Sequence, residues 1–242
     1  MMLGSQVFPI MGGVAEDWQI SRIMKSASRY LWDRALKGYH LNTDFGEELH
    51  DLGRAFSFVY GDKENGAFFN HMVVMFAYAL YARGYVREAW AALDSIYRMA
   101  VDTGRSKIYP CLPEYFNLEG RGMYTYLTGS ASWFILTMLT QSFGVKGLDG
   151  DLAIEPKLCK EQFGRAKGRD AISVTRSFAG RRIRVSFSNP GRADWGSYRI
   201  REARLNGMPL AVRERGRVII PRKTIERLSA GRINRIDISL GR

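Results

Sequence analysis

The 242-residue sequence predicts an α+β protein with two parts, a helical first part and a strand-rich second part. Near residue 150 the spacing of apolar residues changes from the 3.6-residue period of helices to the two-residue period of strands. The charge changes at the same place: residues 151–242 hold 22 Lys and Arg against 9 Asp and Glu, and residues 1–150 hold 14 against 15. We therefore predict domains at residues 1–148 and 149–242.

Four segments of the first part have the apolar pattern of helices. They are residues 16–36, 69–84, 85–101 and the stretch from Gly129 to about Gly144. Residues 69–84 are apolar on nearly all sides, which predicts a buried helix. Gly84 then joins this helix to the next one as an αα-hairpin. Two long sections, Lys37–Asn65 and Asp102–Leu127, are predicted to be loops.

The second part alternates apolar and polar residues. In residues 181–188, Ile183 and Val185 alternate with Arg182 and Arg184. Further strands recur about every ten to fifteen residues, which is typical of a β-sandwich. Because the arginines alternate with core positions, they indicate a solvated strand surface, and nucleic acid is not an expected partner.

Composition excludes several classes of protein. No apolar run reaches the ~18 residues of a membrane span, and the first residues do not resemble a secretion signal. Cys111 and Cys159 have neither the spacing of a metal site nor that of a disulfide framework. The sequence therefore predicts a cytoplasmic protein with no membrane association, no metal and no cofactor.

Small hydroxyl residues crowd the start of the last predicted helix. Thr128, Ser130 and Ser132 surround Gly129 there, although one hydroxyl is enough to cap a helix. The cluster fits either a well-capped helix or an anion site, because a helix N-terminus attracts negative charge. His71, at the start of the helix 69–84, is likewise either a structural group or an imidazole donor to a phosphate.

Three motifs together resemble a known family. Residues 3–15 (LGSQVFPIMGGVA), 63–71 (KENGAFFNH) and 126–134 (YLTGSASWF) resemble the C-terminal part of glycoside hydrolase family 94, and the resemblance extends to about residue 190. Members are inverting glycoside phosphorylases, such as cellobiose, chitobiose and 1,2-β-oligoglucan phosphorylases. Residues 108–133 look nearest to the 1,2-β-oligoglucan branch. The resemblance implies the C-terminal part of an (α/α)6 barrel followed by a β-sandwich.

The resemblance also implies a site and a reaction. The phosphate-binding residues of the family fall on His71, Thr128 and Gly129, with inorganic phosphate as co-substrate. Phosphate would cleave a β-glucoside of an oligosaccharide with inversion and release a sugar 1-phosphate. Further candidates for substrate binding are Lys63, Glu64, Glu114 and Tyr124.

The general acid of the family is not found in this sequence. In the family, an Asp motif upstream of the segment that matches residues 3–15 supplies this acid, and Asp17 follows that segment, so we do not assign Asp17 to catalysis. The sequence predicts a chain that is inactive by itself and associates with an N-terminal half or with itself. The alternatives are a non-catalytic glycan- or nucleic-acid-binding module and the phosphorylase-like domain of a cyclic β-1,2-glucan synthase.

Overall fold

The structure is a computed structural model. It describes residues 1–109, 111–126, 128–164, 170–213 and 216–242. Within these ranges the chain divides into two compact units, Met1–Thr137 and Met138–Arg242, which we call the first and the second unit. Among the described residues, the structure has no helix with both the length and the apolar character needed to cross a membrane.

The first unit is built mainly from helices. They are α1 (Gly4–Met11), α2 (Asp17–Tyr30), α3 (Asn70–Ala82), α4 (Val86–Val101), α5 (Thr103–Ser106) and α6 (Gly129–Thr137). Helix α1 was not predicted as a separate element. Helix α2 ends before the predicted residue 36, because the Asp33 carboxylate accepts the N–H groups of Ala35 and Leu36 at 2.7 Å and closes a turn.

Helix α3 is the centre of the first unit. It packs against α1, α4 and α6, so it has no side that faces only water. Phe76, Leu80 and Tyr81 are among its fully buried side chains. Removing each large apolar side chain from water stabilises the fold by about 1.5–3 kcal/mol. The predicted buried helix is therefore confirmed, and it holds the start of α3 in a fixed position.

The two predicted loop sections and their borders carry short strands. These are β1 (Trp32–Asp33), β2 (Gly38–Tyr39), β3 (Phe68–Phe69), β4 (Tyr115–Phe116) and β5 (Gly122–Met123). Strands β3, β4 and β5 form an antiparallel sheet that fastens the second loop section to the start of α3. Leu127, the predicted end of that loop section, lies outside the described residues.

The second unit consists mostly of strands and begins with a π-helical turn, Met138–Ser142. The strands are β6 (Val145–Leu148), β7 (Asp151–Ile154), β8 (Ala171–Phe178), β9 (Arg181–Ser188), β10 (Arg199–Leu205), β11 (Met208–Pro209), β12 (Val212–Arg213), β13 (Arg217–Ile220) and β14 (Asn234–Gly241), and α7 spans Arg222–Glu226. Because β6 pairs with β7 along its whole length, it belongs to this unit. The chain passes from the first unit to the second between Thr137 and Met138, earlier in the sequence than the predicted boundary at residue 148.

The strands form two sheets with one shared core. The orders are β11-β10-β14-β9-β8 and β12-β13-β7-β6, and only the β14–β9 pair is parallel among the described neighbours. One hydrophobic cluster contains side chains of both sheets, such as Ile154 and Phe187. The predicted alternation is confirmed in β9, where Val185 is buried and Arg182 and Arg184 are exposed.

Candidate functional site

The structure brings the starts of α3 and α6 together. His71 is the second residue of α3, and Gly129 is the first residue of α6. A Cβ atom placed on Gly129 would lie 2.8 Å from Cε1, 3.1 Å from Nδ1 and 3.2 Å from Nε2 of His71. The imidazole therefore lies directly against the backbone at the start of α6, at a distance that only glycine permits.

The Glu114 carbonyl oxygen connects the two helix starts. It accepts the backbone N–H of Asn70 at 2.9 Å and the hydroxyl of Ser130 at 3.4 Å. The Asn70 side-chain amide also donates to the Pro113 carbonyl at 2.9 Å. These contacts position α3, α6 and the loop before β4 as one local structure in the first unit.

Thr128 acts as a helix cap in this structure. Its Oγ1 accepts the backbone N–H of Ser130 at 3.1 Å and donates to the Ser130 hydroxyl at 3.0 Å. The anion interpretation predicts unpaired N–H groups at this helix start, and the N–H of Ser130 is not one of them. One of the additional hydroxyl residues therefore has a structural role, because Ser130 connects the Thr128 cap to the Glu114 carbonyl.

Three buried polar atoms of residues 64–71 have no hydrogen-bond partner within the described part of the chain. They are Nε2 of His71, Oδ1 of Asn70 and Oε2 of Glu64. An unpaired buried polar atom costs about 1–3 kcal/mol, so such atoms are uncommon unless a ligand or water satisfies them. Their occurrence along residues 64–71 marks this region as a candidate ligand site.

Burial sets the protonation state of His71. Burial lowers the pKa of the imidazole below its usual value of 6.5, and the nearby negative charge of Glu114 opposes this shift. His71 is therefore neutral at pH 7, and one of its ring nitrogens carries a hydrogen that can be donated. The Trp133 ring lies beside it, with centroids 6.1 Å apart, and Tyr78 packs against Trp133 with ring centroids 5.5 Å apart.

Three of the four candidate substrate residues, Lys63, Glu114 and Tyr124, lie close together. The ammonium group of Lys63 lies 4.1 Å from the ring centroid of Tyr124, and the Tyr124 carbonyl accepts the Glu114 N–H at 2.8 Å. The rings of Tyr124 and Tyr126 stack with centroids 6.4 Å apart, and both are exposed. Lys63 and Tyr124 have positive φ angles of 46° and 55°. This strained backbone is of a kind that often accompanies functional sites.

Asp17 lies at the start of α2, and its contacts do not include the residues of the candidate phosphate site. It is the first residue of α2 and its side chain is 81% exposed. Its carboxylate lies 3.4 Å from Arg83, whose guanidinium also donates to the Ala15 carbonyl at 2.8 Å. These contacts give Asp17 a surface role at a helix N-terminus, and none of them involves His71 or Gly129.

One group of side chains in the second unit could hold a metal ion, although the sequence predicted none. Cys159, Glu161 and Asp194 place their ligand atoms within 4.8 Å of one another. Cys159 and Asp194 are buried, and Asp194 accepts the backbone N–H of Trp195 at 2.9 Å. The group combines a soft thiol with two hard carboxylates, which does not define one particular metal.

The sequence motifs single out His71 and Gly129 as candidates, but not the neighbouring residues Asn70 and Trp133. The unpaired Oδ1 of Asn70 and the packing of Trp133 depend on tertiary contacts. Asn70 precedes His71, and Trp133 follows Gly129 by about one helical turn, so both lay within the motifs that were singled out. Only the structure distinguishes them from ordinary helix residues.

Comparison with known proteins identifies a distant relative. No protein-family model matches the chain. A cellobionic acid phosphorylase from Neurospora crassa is 25% identical over 208 residues, with 76% of this chain and 24% of that protein covered. The chain thus spans about a quarter of the length of this curated relative, and it is distantly related to a phosphorylase.

Among solved structures, the chain is similar to a family GH92 α-mannosidase from Bacteroides thetaiotaomicron in complex with mannoimidazole. The TM-score is 0.31 and the identity is 9%, with 96% of this chain and 24% of that chain covered.

Proposed function

We propose that this chain forms the phosphate-binding part of a glycoside phosphorylase. The observation that carries the proposal is the unpaired, buried Nε2 of His71 directly against Gly129 at the N-terminus of α6. A neutral imidazole can donate one hydrogen bond to a phosphate oxygen, and the positive end of a nine-residue helix favours the same anion. The distant phosphorylase relative supports this assignment.

Phosphorolysis requires little more of these residues than positioning. Inorganic phosphate is itself the nucleophile that attacks the anomeric carbon from the face opposite the departing glycosidic oxygen. His71 and the N–H groups of α6 would hold phosphate in line and lower its repulsion from the sugar oxygens. Thr128 can join them only if its hydroxyl hydrogen turns from Ser130 toward phosphate.

The proposal also includes the sugar-binding residues, the general acid and the family of the chain. Lys63, Glu64, Glu114 and Tyr124 would contact an oligosaccharide, and a carboxylic acid outside these residues would protonate the leaving oxygen. We assign the chain to glycoside hydrolase family 94, with the first unit as the C-terminal part of an (α/α)6 barrel and the second as a β-sandwich. The barrel would be completed by an N-terminal half or a second copy of the chain. The protein would be cytoplasmic.

Phosphate binding can be tested on the 242-residue chain. The imidazole signals of His71 and His50 are followed by NMR while inorganic phosphate is added. Phosphate should shift the His71 signal and raise the pKa of His71, because a bound dianion favours the imidazolium ion. The exposed His50 should not respond. Equal responses of the two histidines, or no response of His71, would contradict the proposal.

Activity is tested in a second assay. Sugar 1-phosphate release from β-linked glucans is measured for the chain by itself and with the N-terminal part of a phosphorylase supplied separately. We expect activity only in the mixture, and we expect His71→Ala to abolish it. Activity of the chain by itself that disappears in Asp17→Asn would instead assign the general acid to Asp17. Glycan binding without phosphorolysis in either sample would favour the binding-module alternative.

A further inference from the structure

The second unit contains a cleft that is lined by residues of this unit. Its volume is about 590 Å³, which is within the range of small-molecule sites. Its described walls come from residues 155–157 after β7, residues 195–200 at the start of β10, and Val212–Arg213 of β12. We call it the Trp195 cleft. It is formed where strands of the two sheets end near each other.

The Trp195 cleft carries excess positive charge. Lys157, Arg199 and Arg213 line it together with one carboxylate, Glu155. Lys146, which lies outside the lining, is 3.3 Å from Glu155 and offsets its charge. Arg199 and Arg213 are exposed and form no salt bridge with another residue in the described ranges. Their guanidinium groups are thus available to bind carboxylate or phosphate oxygens in a bidentate manner.

One wall of the cleft is rigid. The Tyr198 hydroxyl accepts the Leu158 N–H at 2.8 Å and lies within hydrogen-bond distance of the Leu158 and Pro156 carbonyls, at 3.1 and 3.3 Å. Burial raises the pKa of Tyr198, so the hydroxyl keeps its proton and can donate to one of these carbonyls. A preformed wall favours binding, because less conformational entropy is lost when a ligand is ordered.

Lys157 and Trp195 add two further features of a binding site. Burial lowers the pKa of Lys157, and the positive charge of Lys146 lowers it further, although Glu155 opposes both effects. A bound anion would reverse this shift. Trp195 is half-buried and offers an apolar aromatic surface beside these cations. Aromatic faces next to charged donors suit ligands that combine apolar C–H surfaces with anionic groups.

We infer that the Trp195 cleft binds an anionic monosaccharide, with the sugar ring against Trp195 and its phosphate or carboxylate between Arg199 and Arg213. The inference does not depend on phosphorolysis at His71, because the cleft uses residues of the second unit only. Phosphate and carboxylate groups share the anionic oxygens that two guanidinium groups recognise. A neutral sugar lacks these oxygens and should bind far more weakly.

Calorimetry on the 242-residue chain tests this inference. The probes are glucose 1-phosphate, glucuronate, glucose and inorganic phosphate. We expect binding of glucose 1-phosphate, glucuronate or both, and no measurable binding of glucose. Arg199→Gln and Arg213→Gln should each weaken binding about tenfold, as is usual when a charged hydrogen bond is lost. Arg201→Gln is the matched control, because Arg201 is an exposed residue of β10 that does not line the cleft.

The other outcomes overturn the inference. If glucose binds as tightly as glucose 1-phosphate, the anionic group is not recognised. If inorganic phosphate binds the His71→Ala variant as tightly as glucose 1-phosphate does, the sugar ring is not recognised. Unchanged affinity in both arginine variants, or tighter binding of an oligothymidylate that depends on both arginines, would also exclude an anionic monosaccharide. His71→Ala should leave this binding intact, which separates the result from the proposed phosphorolysis.

Discussion

The His71 ring occupies the space that a side chain at position 129 would need. Its Cε1, Nδ1 and Nε2 atoms would all lie within 3.2 Å of a Cβ on Gly129, and Nε2 is buried without a partner in the described residues. The close approach of the His71 ring therefore explains why position 129 is glycine. Glycine allows an imidazole to lie against the first turn of α6, and this arrangement underlies the next prediction.

Gly129→Ala should displace the His71 imidazole while the helix is retained. Alanine favours the helical conformation over glycine by about 1 kcal/mol, so helix formation should not suffer. The displaced ring should weaken phosphate binding at least tenfold, which corresponds to the loss of a hydrogen bond to a charged group, about 1.5–3 kcal/mol. The measurements are the His71 NMR signal and phosphate affinity. Gly231→Ala is the control, because no atom lies within 4 Å of its added Cβ.

Glu114→Gln should lower the pKa of His71 further. The Glu114 carboxylate opposes the effect of burial, so its removal leaves desolvation less opposed. An NMR titration of the His71 ring measures this change directly. Glu119→Gln provides the control, since Glu119 is an exposed residue of the same loop section. A rise of the His71 pKa in Glu114→Gln would contradict the electrostatic interpretation.

The lowered pKa of His71 also makes stability depend on pH. Between the folded-state pKa and 6.5, the unfolded chain binds a proton that the folded chain does not bind. The contribution of His71 to the free energy of unfolding is therefore fully present above pH 6.5 and is lost as the pH falls through the folded-state pKa. His71→Gln should reduce this pH dependence, and His50→Gln should not. Urea denaturation at several pH values tests the prediction.

The sequence predicted regular elements better than the contacts that form the site. Helix α3 was predictable because its apolar residues surround the helix, and β9 because apolar residues alternate with arginines. The short strands β3, β4 and β5 were not predicted, because two-residue strands have no detectable period and depend on long-range pairing. They position Glu114 beside the helix starts, so the contacts of the site could not follow from periodicity.

His71 illustrates the same limit within the site. The sequence around His71 left both a structural and a functional interpretation open, and the resemblance to glycoside hydrolase family 94 favoured the functional one. The contact with Gly129 and the unpaired Nε2 are tertiary features. Conversely, the capping role of Thr128 was among the simpler interpretations of the sequence, and the structure contains that contact.

Asn65→Ala should destabilise the first unit by about 1–3 kcal/mol for each buried group left unpaired. Asn65 is 3% exposed and accepts the Asn42 side-chain N–H at 2.9 Å, and its own amide donates to the Phe58 carbonyl at 2.7 Å. The alanine variant removes both contacts next to Lys63. Thermal unfolding measures the effect. Asn117→Ala should cost less, because Asn117 is half-buried in a turn whose N–H groups can bond to water.

Gly144→Ala should lower the free energy of unfolding more than Gly129→Ala or Gly231→Ala. Gly144 has a φ of +64°, and a Cβ there would lie 1.8 Å from the Glu155 carbonyl oxygen. Backbone atoms cannot move aside as a flexible side chain can, and the Glu155 N–H also donates to the Gly144 carbonyl at 3.0 Å. We expect a loss of about 4 kcal/mol or more, which is exceptional for one substitution.

Gly150→Ala separates the two causes of that loss. Gly150 also has a positive φ, +90°, but no atom lies within 4 Å of its added Cβ. Its substitution should therefore cost only the backbone strain, about 1–3 kcal/mol. Chemical denaturation of both variants measures the difference. Equal losses would show that strain at φ, and not the approach to Glu155, requires glycine at position 144. A larger loss in Gly144→Ala would establish that contact as the reason, because both positions have a positive φ and only the Cβ added at position 144 meets another atom within 4 Å.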